Sequence, residues 1–432
     1  MKLAESKKTV YDQDLLSLVA QMAVRNWQLA FSFLAVWLIR WLVPSLGLHR
    51  TAYLLVATAN LLITGVLMRI TLLPGDGIGP EVCREAVRMF YALNSFYNCK
   101  FEIIEKPVGG AAIRVAGSPL PEDTLEACLQ SEAVLLGAMG APEFDHLDRD
   151  QKPEAGLLRL RAELRGFANL RPAACFPAIA DCSPLRRSRV EGADVLIVRE
   201  LLGGLYFSEP RGFGENQGYA YNTMRYSVEE IERIAHVGFE QARMRRKKIT
   251  SVDKANVLET SQLWRRVVTG VSRSYPDVQL EHMYVDACAM HLGTNPSRFD
   301  VILAENLFGD ILSDQAAAIT GSLGMLGSAT IGGGINLYEP VHGSAPDIAG
   351  KGIANPLGAI ASVAMLLRHS AQMPQEANDL EDAIKNVLEA GHRTADIAGE
   401  HTQHVASTRE MGELVEHAFV ALLDRRFAYH AV

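Results

Sequence analysis

From Arg69 onward the chain follows one pattern: short, almost wholly apolar runs alternate with longer segments whose apolar residues recur at helical spacing. Arg69-Ile-Thr-Leu-Leu73 is the first run, Pro74-Gly-Asp-Gly-Ile-Gly-Pro80 the turn after it, and Glu81 to Phe96 carries the helical period. Further runs stand at Ala133–Leu136, Val195–Val198, Ile249–Val252 and Val301–Ala304, each followed by a turn or a periodic helix such as Ser227–Arg245. Strand and helix in alternation predict an α/β fold with a large, mostly parallel sheet. The glycine-rich segment Gly321–Gly334 reads as loop and as a crossover between domains.

Charge and cysteine usage narrow the function classes. Fifty acidic against 42 basic residues, with 48% hydrophobic content, exclude a disordered chain and a polybasic nucleic-acid binder. The six cysteines contain no C-x-x-C pair, so neither a thiolate zinc site nor a disulfide framework is indicated, and a reducing, cytoplasmic compartment is expected. Residues 1–67 differ from the rest: Trp27–Ile39 and Ala52–Met68 are almost wholly apolar, and three of the four tryptophans crowd there. Two readings stay open. The segment is a membrane-contacting leader, or it is dispensable and the α/β part begins at Met68, just before the first strand.

The candidate chemistry lies in ionisable residues beside apolar ones. Gly75, Gly77 and Gly79 are spaced G-x-G-x-G, which is not the dinucleotide fingerprint, so the loop reads as a tight strand-to-helix turn. Asp310 and Asp314 are four apart and share a helix face. There they form either a solvated pair or, with Asp286 in Val285-Asp-Ala-Cys288, oxygen ligands suited to Mg²⁺ or Mn²⁺. Arg161, Arg171 and Arg199 sit in apolar contexts, as carboxylate forks or structural ion-pair residues. Lys254 ends a strand-like run, where a lysine held near other cations or a metal moves protons at a lowered pKa. Tyr206 is a proton donor or a packed aromatic.

Six segments, in order, carry a resemblance: Leu73-Pro-Gly-Asp-Gly-Ile-Gly-Pro-Glu81, Phe167-Ala-Asn-Leu-Arg-Pro172, Val198-Arg-Glu200, Val252-Asp-Lys-Ala-Asn-Val257, Asn306-Leu-Phe-Gly-Asp-Ile-Leu-Ser-Asp314, and Glu339 through Pro356. From about Met68 to about residue 425 the chain resembles the isocitrate/isopropylmalate dehydrogenase family of β-decarboxylating dehydrogenases. The resemblance implies that family's two-domain fold, which is not a Rossmann fold. One domain is expected at 68–166 with 321–432, the other at 167–320, carrying the dimer contact. It implies NAD-dependent oxidative decarboxylation of 3-isopropylmalate to 4-methyl-2-oxopentanoate and CO2, a step of leucine biosynthesis. Arg161, Arg171 and Arg199 would bind the malate carboxylates; Tyr206 and Lys254 would handle protons; Asp286, Asp310 and Asp314 would hold Mg²⁺ or Mn²⁺, with Asp286 also beside substrate. It also implies a homodimer in which Lys254 and Asp286 act across the interface.

Substrate choice is expected in Pro153–Arg161, where Leu157 and Leu158 suit an isopropyl group and penalise a third carboxylate. Cofactor choice is expected in Glu339–Asn355: Asp347 would bond the adenosine ribose and repel a 2′-phosphate, favouring NAD. His342, Gly343, Ser344, Ala345 and Ile348 would line the adenosine, and Asn355 the adenine. Leu202, Cys288 and Gln315 depart from residues common in the family, without removing a role-bearing group. Two alternatives are a relative acting on D-malate, tartrate or homoisocitrate, and a non-catalytic binding subunit. The second predicts missing catalytic groups, whereas the full set is present.

Overall fold

The computed structural model describes residues 67–97, 100–399, 402 and 404–430. The apolar stretches before residue 67, and both readings of the leader, lie outside them. One compact unit comprises Met68–Ala92 with the described residues from Glu102 onward. No helix among the described residues is long and apolar enough to cross a membrane.

The strands are β1 (Leu67–Gly75), β2 (Lys100–Glu105), β3 (Ala133–Ala138), β4 (Ala168–Ala174), β5 (Asp194–Glu200), β6 (Arg211–Phe213), β7 (Ala220–Asn222), β8 (Lys248–Asp253), β9 (Gln279–Tyr284), β10 (Val301–Ala304), β11 (Gly327–Ile331) and β12 (Asn336–Pro340). Ten of them form one sheet, in the order β2-β1-β3-β12-β11-β4-β5-β10-β8-β9, and β6 pairs with β7 as a separate hairpin. Each expected apolar run is a strand. β1, β3 and β12 are mutually parallel, as are β5, β10, β8 and β9. The middle is antiparallel: β11 opposes both β12 and β4, and β4 opposes β5. The sheet is therefore two parallel blocks joined by an antiparallel seam, which a Rossmann sheet lacks.

That seam corrects the reading of Gly321–Gly334 as loop, because strand β11 runs through it. A Cβ on Gly327 would come within 3.0 Å of the Gly358 carbonyl oxygen, and one on Gly358 within 2.8 Å of the Leu326 carbonyl oxygen. The glycines let the Leu357–His369 helix lie directly against the strand. Gly327 and Gly358 thus record close packing, whereas Gly332–Gly334 form the turn between β11 and β12.

The core explains how the functional helix is held. Val195, Ile197, Ile302 and Ala304 of β5 and β10 pack with Leu292, Leu312, Ala316 and Ile319 in one cluster. Burying side chains of this size is worth about 1.5–3 kcal/mol each for the larger ones. The Asn306–Thr320 helix starts on Glu305, whose carboxylate accepts from the Leu307 and Phe308 N–H groups at 3.1 and 2.9 Å. It ends at Gly321, in the left-handed conformation at φ +85°.

The turn after β1 has φ +55° at Gly77, and a Cβ there would overlap the Ser344 carbonyl oxygen. Gly77→Ala is therefore expected to destabilise the fold by about 1–3 kcal/mol, combining backbone strain with a displaced carbonyl. Urea unfolding checks this; an unchanged midpoint would refute the packing argument.

Candidate active site

Strand pairing assembles the cationic part of the site. β4 and β5 are registered so that Asn169 lies opposite Arg199, and Arg171, two residues further along β4, shares the face of Asn169. All three are buried. The Asn306–Thr320 helix lies over them and supplies the counter-charges. Arg171 Nη1 donates to Ser313 Oγ at 2.7 Å, its Nε donates to Asn169 Oδ1 at 2.7 Å, and it lies 3.6 Å from both Asp310 and Asp314. Arg199 donates from Nη1 to Asp310 Oδ1 and from Nε and Nη2 to Asn306 Oδ1 at 3.1 and 2.7 Å.

Two guanidinium groups side by side in a buried place repel. Burial, with Arg171 beside it, pushes the Arg199 pKa down to about 10, and burial lowers that of Arg171 as well. The cluster is thus built to take up negative charge. Tyr206, in the turn after β5, donates its hydroxyl to Asp310 Oδ2 at 2.9 Å, with Arg199 5.6 Å from its ring centre. Burial and the Asp310 carboxylate hold the Tyr206 hydroxyl above its ordinary value, so it keeps its proton at neutral pH. Burial also raises Asp314, against the pull of Arg171.

Arg161, on the Pro153–Leu164 helix, donates to Glu339 Oε1 at 2.6 Å while its buried Nε has no partner. Arg161, Arg171, Glu339 and Leu157 line a cavity of about 160 Å³, together with Met139, Val341, His342 and Gly343. His342 and Gly343 also line a second cavity of about 570 Å³ with Ile78, Leu323, Ala345, Ile348 and Asn355. The two cavities therefore adjoin. Most of the expected adenosine segment lines the larger one, and the buried Nε2 of His342 has no partner there.

Other expected residues lie elsewhere. Leu158 faces a separate cavity of about 690 Å³, with Arg149, Lys152 and Glu154, because one helical step turns it away from Leu157. Asp347 is exposed, outside the residues lining the adenosine-sized cavity. Lys254, just past β8, pairs with Asp286 in the first turn of the Val285–Thr294 helix at 2.7 Å. That bond holds the Asp286 carboxyl below its ordinary range. Among the described residues of one chain, no three His, Cys, Asp or Glu side chains gather to hold a metal. Asp310 and Asp314 are a pair of oxygen donors one helical turn apart.

Sequence reasoning passed over Asn169, Asn306 and Ser313, which orient the arginines, and Asp396, which accepts from Asn355 Nδ2 at 3.0 Å. Asn306 opens the Asn306–Asp314 motif, which was the available signal; nothing local marks Asn169 or Asp396. The residues that depart from the family pattern are each accommodated in the fold. Leu202 uses its N–H, donating to Glu200 at 3.0 Å; Cys288 is fully buried; Gln315 donates to the Ala289 carbonyl at 2.6 Å.

Burial lowers the His342 pKa, so the folded chain keeps it neutral where the unfolded chain takes up a proton. Its contribution to stability is complete above about pH 6.5 and is lost as pH falls through the lowered folded value. His342→Gln is therefore expected to lessen the drop in urea midpoint between neutral and mildly acid pH. An identical drop in both proteins would count against this.

The isocitrate/isopropylmalate dehydrogenase family model matches residues 69–415. The chain is 52% identical over 350 residues to 3-isopropylmalate dehydrogenase of Aquifex aeolicus, covering 81% of this chain and 96% of that one. It is 55% identical over 355 residues to the enzyme of the same name from Gloeobacter violaceus, covering 81% and 98%. Among solved structures it resembles isocitrate dehydrogenase from Methylococcus capsulatus, with a TM-score of 0.73 at 35% identity, covering 82% of this chain and all of that one. A β-decarboxylating dehydrogenase from Thermococcus kodakarensis gives 0.67 at 36% identity, covering 85% and 99%.

Proposed function

The chain belongs to the isocitrate/isopropylmalate dehydrogenase family, and from that membership we propose that it oxidises and decarboxylates 3-isopropylmalate with NAD⁺, yielding 4-methyl-2-oxopentanoate, CO2 and NADH. The observation that carries the substrate is the small cavity in which Leu157 stands with Arg161 and Arg171. It offers guanidinium groups for carboxylates and an apolar wall for an alkyl branch. A third carboxylate against Leu157 would be desolvated without a partner, at a cost far larger than that of a misfitted methylene.

The cofactor fits the adjoining cavity, whose 570 Å³ suits an adenosine and whose walls include His342, Gly343, Ala345, Ile348 and Asn355. Ser344 and Asp347 complete that segment, and Asp347 favours NAD over NADP by repelling a 2′-phosphate. NAD⁺ supplies the hydride acceptor. Asp310 and Asp314 fit a hard divalent cation by donor type, and Asp286 from a second copy would supply the third carboxylate. Mg²⁺ or Mn²⁺ held there supplies Lewis-acid polarisation of a substrate oxygen.

The chain's own groups do the rest. Arg161, Arg171 and Arg199 orient the two carboxylates, so that the leaving carboxylate is held by charge rather than by solvent. Lys254, from the second copy, takes the C2 hydroxyl proton directly or through water as hydride leaves C2. Loss of CO2 from the resulting 2-oxo acid then leaves an enolate; Tyr206, kept protonated by burial and Asp310, donates a proton to its C3 carbon, and the proton taken up by Lys254 replaces the one Tyr206 gave.

This scheme requires a homodimer. Supporting it, the β6–β7 hairpin stands apart from the main sheet and exposes Phe213 by 73% and Tyr219 by 64%. We assign the dimer contact to the 167–320 domain and the cofactor cavity to the domain made of 68–166 and 321–432. The described cysteines are all free, in keeping with a reducing cytoplasm.

The test is NADH formation by the full-length protein with NAD⁺ and Mg²⁺, comparing 3-isopropylmalate with isocitrate, D-malate and tartrate. Turnover is expected to favour isopropylmalate and to vanish with EDTA. Preference for isocitrate, or no turnover of any of the four, would overturn the proposal.

A further inference from the structure

The Gly75-Asp-Gly-Ile-Gly-Pro-Glu81 stretch has so far been only a turn. In the fold it is moulded against the cofactor segment. The Ile78 N–H donates to the Ser344 carbonyl at 2.8 Å, Gly77 packs on that same carbonyl, and Ile78 lines the adenosine-sized cavity. Two residues into the Gly79–Phe96 helix, Glu81 divides its carboxylate between two donors: Oε1 accepts from the Gly350 N–H at 3.2 Å and Oε2 from the Gly352 N–H at 3.1 Å.

Between these anchors runs the loop that carries Ala345, Asp347 and Ile348. Little inside the loop defines its shape. Ala345, Gly350 and Gly352 all have positive φ, at +39°, +74° and +65°, and the internal bonds are Ile348 N to Ala345 O at 3.1 Å and Lys351 N to Ile348 O at 3.2 Å. Glycines at such positions leave many backbone states open, and an alanine there is held only by its surroundings. Beyond the grip, Thr408 fixes the exit of the loop, donating from N to Gly352 O at 2.9 Å and from Oγ1 to Ala354 O at 2.6 Å. The two-oxygen contact from Glu81 therefore bridges the most permissive part of a loop that is otherwise tied only at its ends.

We propose that Glu81 is a positioning residue for the cofactor: it touches no reacting atom, and it sets affinity for the adenosine half by fixing Gly350 and Gly352. This rests on the reading of Glu339–Asn355 as the cofactor segment. A purely structural role is also available to Glu81, since an acid in the first turn of a helix favours that helix. Such a role would change stability and leave cofactor affinity alone.

The test uses full-length Glu81→Ala and the isosteric Glu81→Gln, which keeps the side-chain volume but presents an N–H₂ to one of the two donors. ADP-ribose binding is measured by calorimetry without substrate, alongside NAD⁺ kinetics with 3-isopropylmalate. The dissociation constant for ADP-ribose and KM for NAD⁺ are expected to rise together by about tenfold in Glu81→Ala, as for loss of charge-assisted hydrogen bonds, and by less in Glu81→Gln. The loss should fall on KM for NAD⁺ rather than on kcat at saturating cofactor or KM for isopropylmalate. Unchanged ADP-ribose affinity in both variants, or a fall in kcat with KM for NAD⁺ unmoved, would overturn it. Wild-type protein that binds ADP-ribose but turns over no substrate would count against the catalytic reading alone; wild-type protein that does not bind ADP-ribose would sink the cofactor segment and this proposal with it.

Discussion

Lys254→Ala is expected to lower kcat by about 10²–10⁴-fold, the range for loss of a positioned proton-transfer group, while the unfolding midpoint stays where it was. The second half follows from geometry. Lys254 and Asp286 form an ion pair whose side chains remain 27% and 67% exposed, and screened pairs of that kind add little to folding. A fall in stability parallel to the fall in rate would assign Lys254 a structural role instead. The same variant tests where the lysine acts. Within one chain Lys254 pairs with Asp286, while Tyr206 pairs with Asp310 in the arginine cluster. If each lysine serves the other copy, unfolding and refolding Lys254→Ala together with Tyr206→Phe should restore about a quarter of wild-type activity, because random pairing makes half the dimers mixed and each mixed dimer has one intact site. Two inactive variants that remain inactive after mixing would place the lysine in its own chain's site.

Asp310→Asn is expected to abolish measurable turnover and to destabilise the free protein as well. The carboxylate accepts from Arg199 and Tyr206 and lies 3.6 Å from Arg171. Removing it takes away one of the two oxygen donors proposed for the metal, and it also leaves two buried guanidinium groups facing each other with Asp314 as the remaining acid. Breaking a buried charge pair costs about 3–5 kcal/mol; Asp310 is a third exposed, so about 1–3 kcal/mol is the expected loss. Urea unfolding of the metal-free protein measures it. Added isopropylmalate should recover more stability in the variant than in wild type, since its carboxylates replace the missing charge. Equal stability of the two metal-free proteins would mean that Asp310 is not the counter-charge the geometry indicates.

These variants mark where local pattern stops informing. Asp310 and Asp314 were expected on one helix face because i and i+4 are neighbours on any helix, and Lys254 was expected at a strand end because an apolar run stops just before it. Both relations are short in sequence, and both hold. Asn169 and Asp396 escaped notice because their partners are remote. Asn169 meets Thr330, 161 residues away, and Asp396 meets Asn355, 41 residues away. No spacing rule covers contacts made by sheet registration or by a returning helix.

The cofactor segment shows the same division. Its residues were recognisable as a run, and most of them line one cavity. What shapes the loop is Glu81, some 270 residues earlier in the chain, reaching it from another helix. The glycine-rich stretch from Gly321 misled for a related reason. Glycine has the same local signature whether it permits a turn or permits a helix to press on a strand, and only the position of the Leu357–His369 helix separates the two cases.

By itself, then, the sequence determined the alternating α/β pattern, the inventory of arginine, lysine, tyrosine and aspartate groups, and the order of motifs that places the chain in its family. Periodicity and residue chemistry are local properties, written within a few residues. The tertiary structure alone decided that β11 and β4 form an antiparallel seam between two parallel blocks, that Leu157 faces the arginine cavity while Leu158 turns away, and that Arg199 meets Asp310 across 111 residues. These are outcomes of burial and strand registration. A buried guanidinium must find a carboxylate wherever the fold brings one, and only the assembled sheet with its covering helix establishes which carboxylate that is.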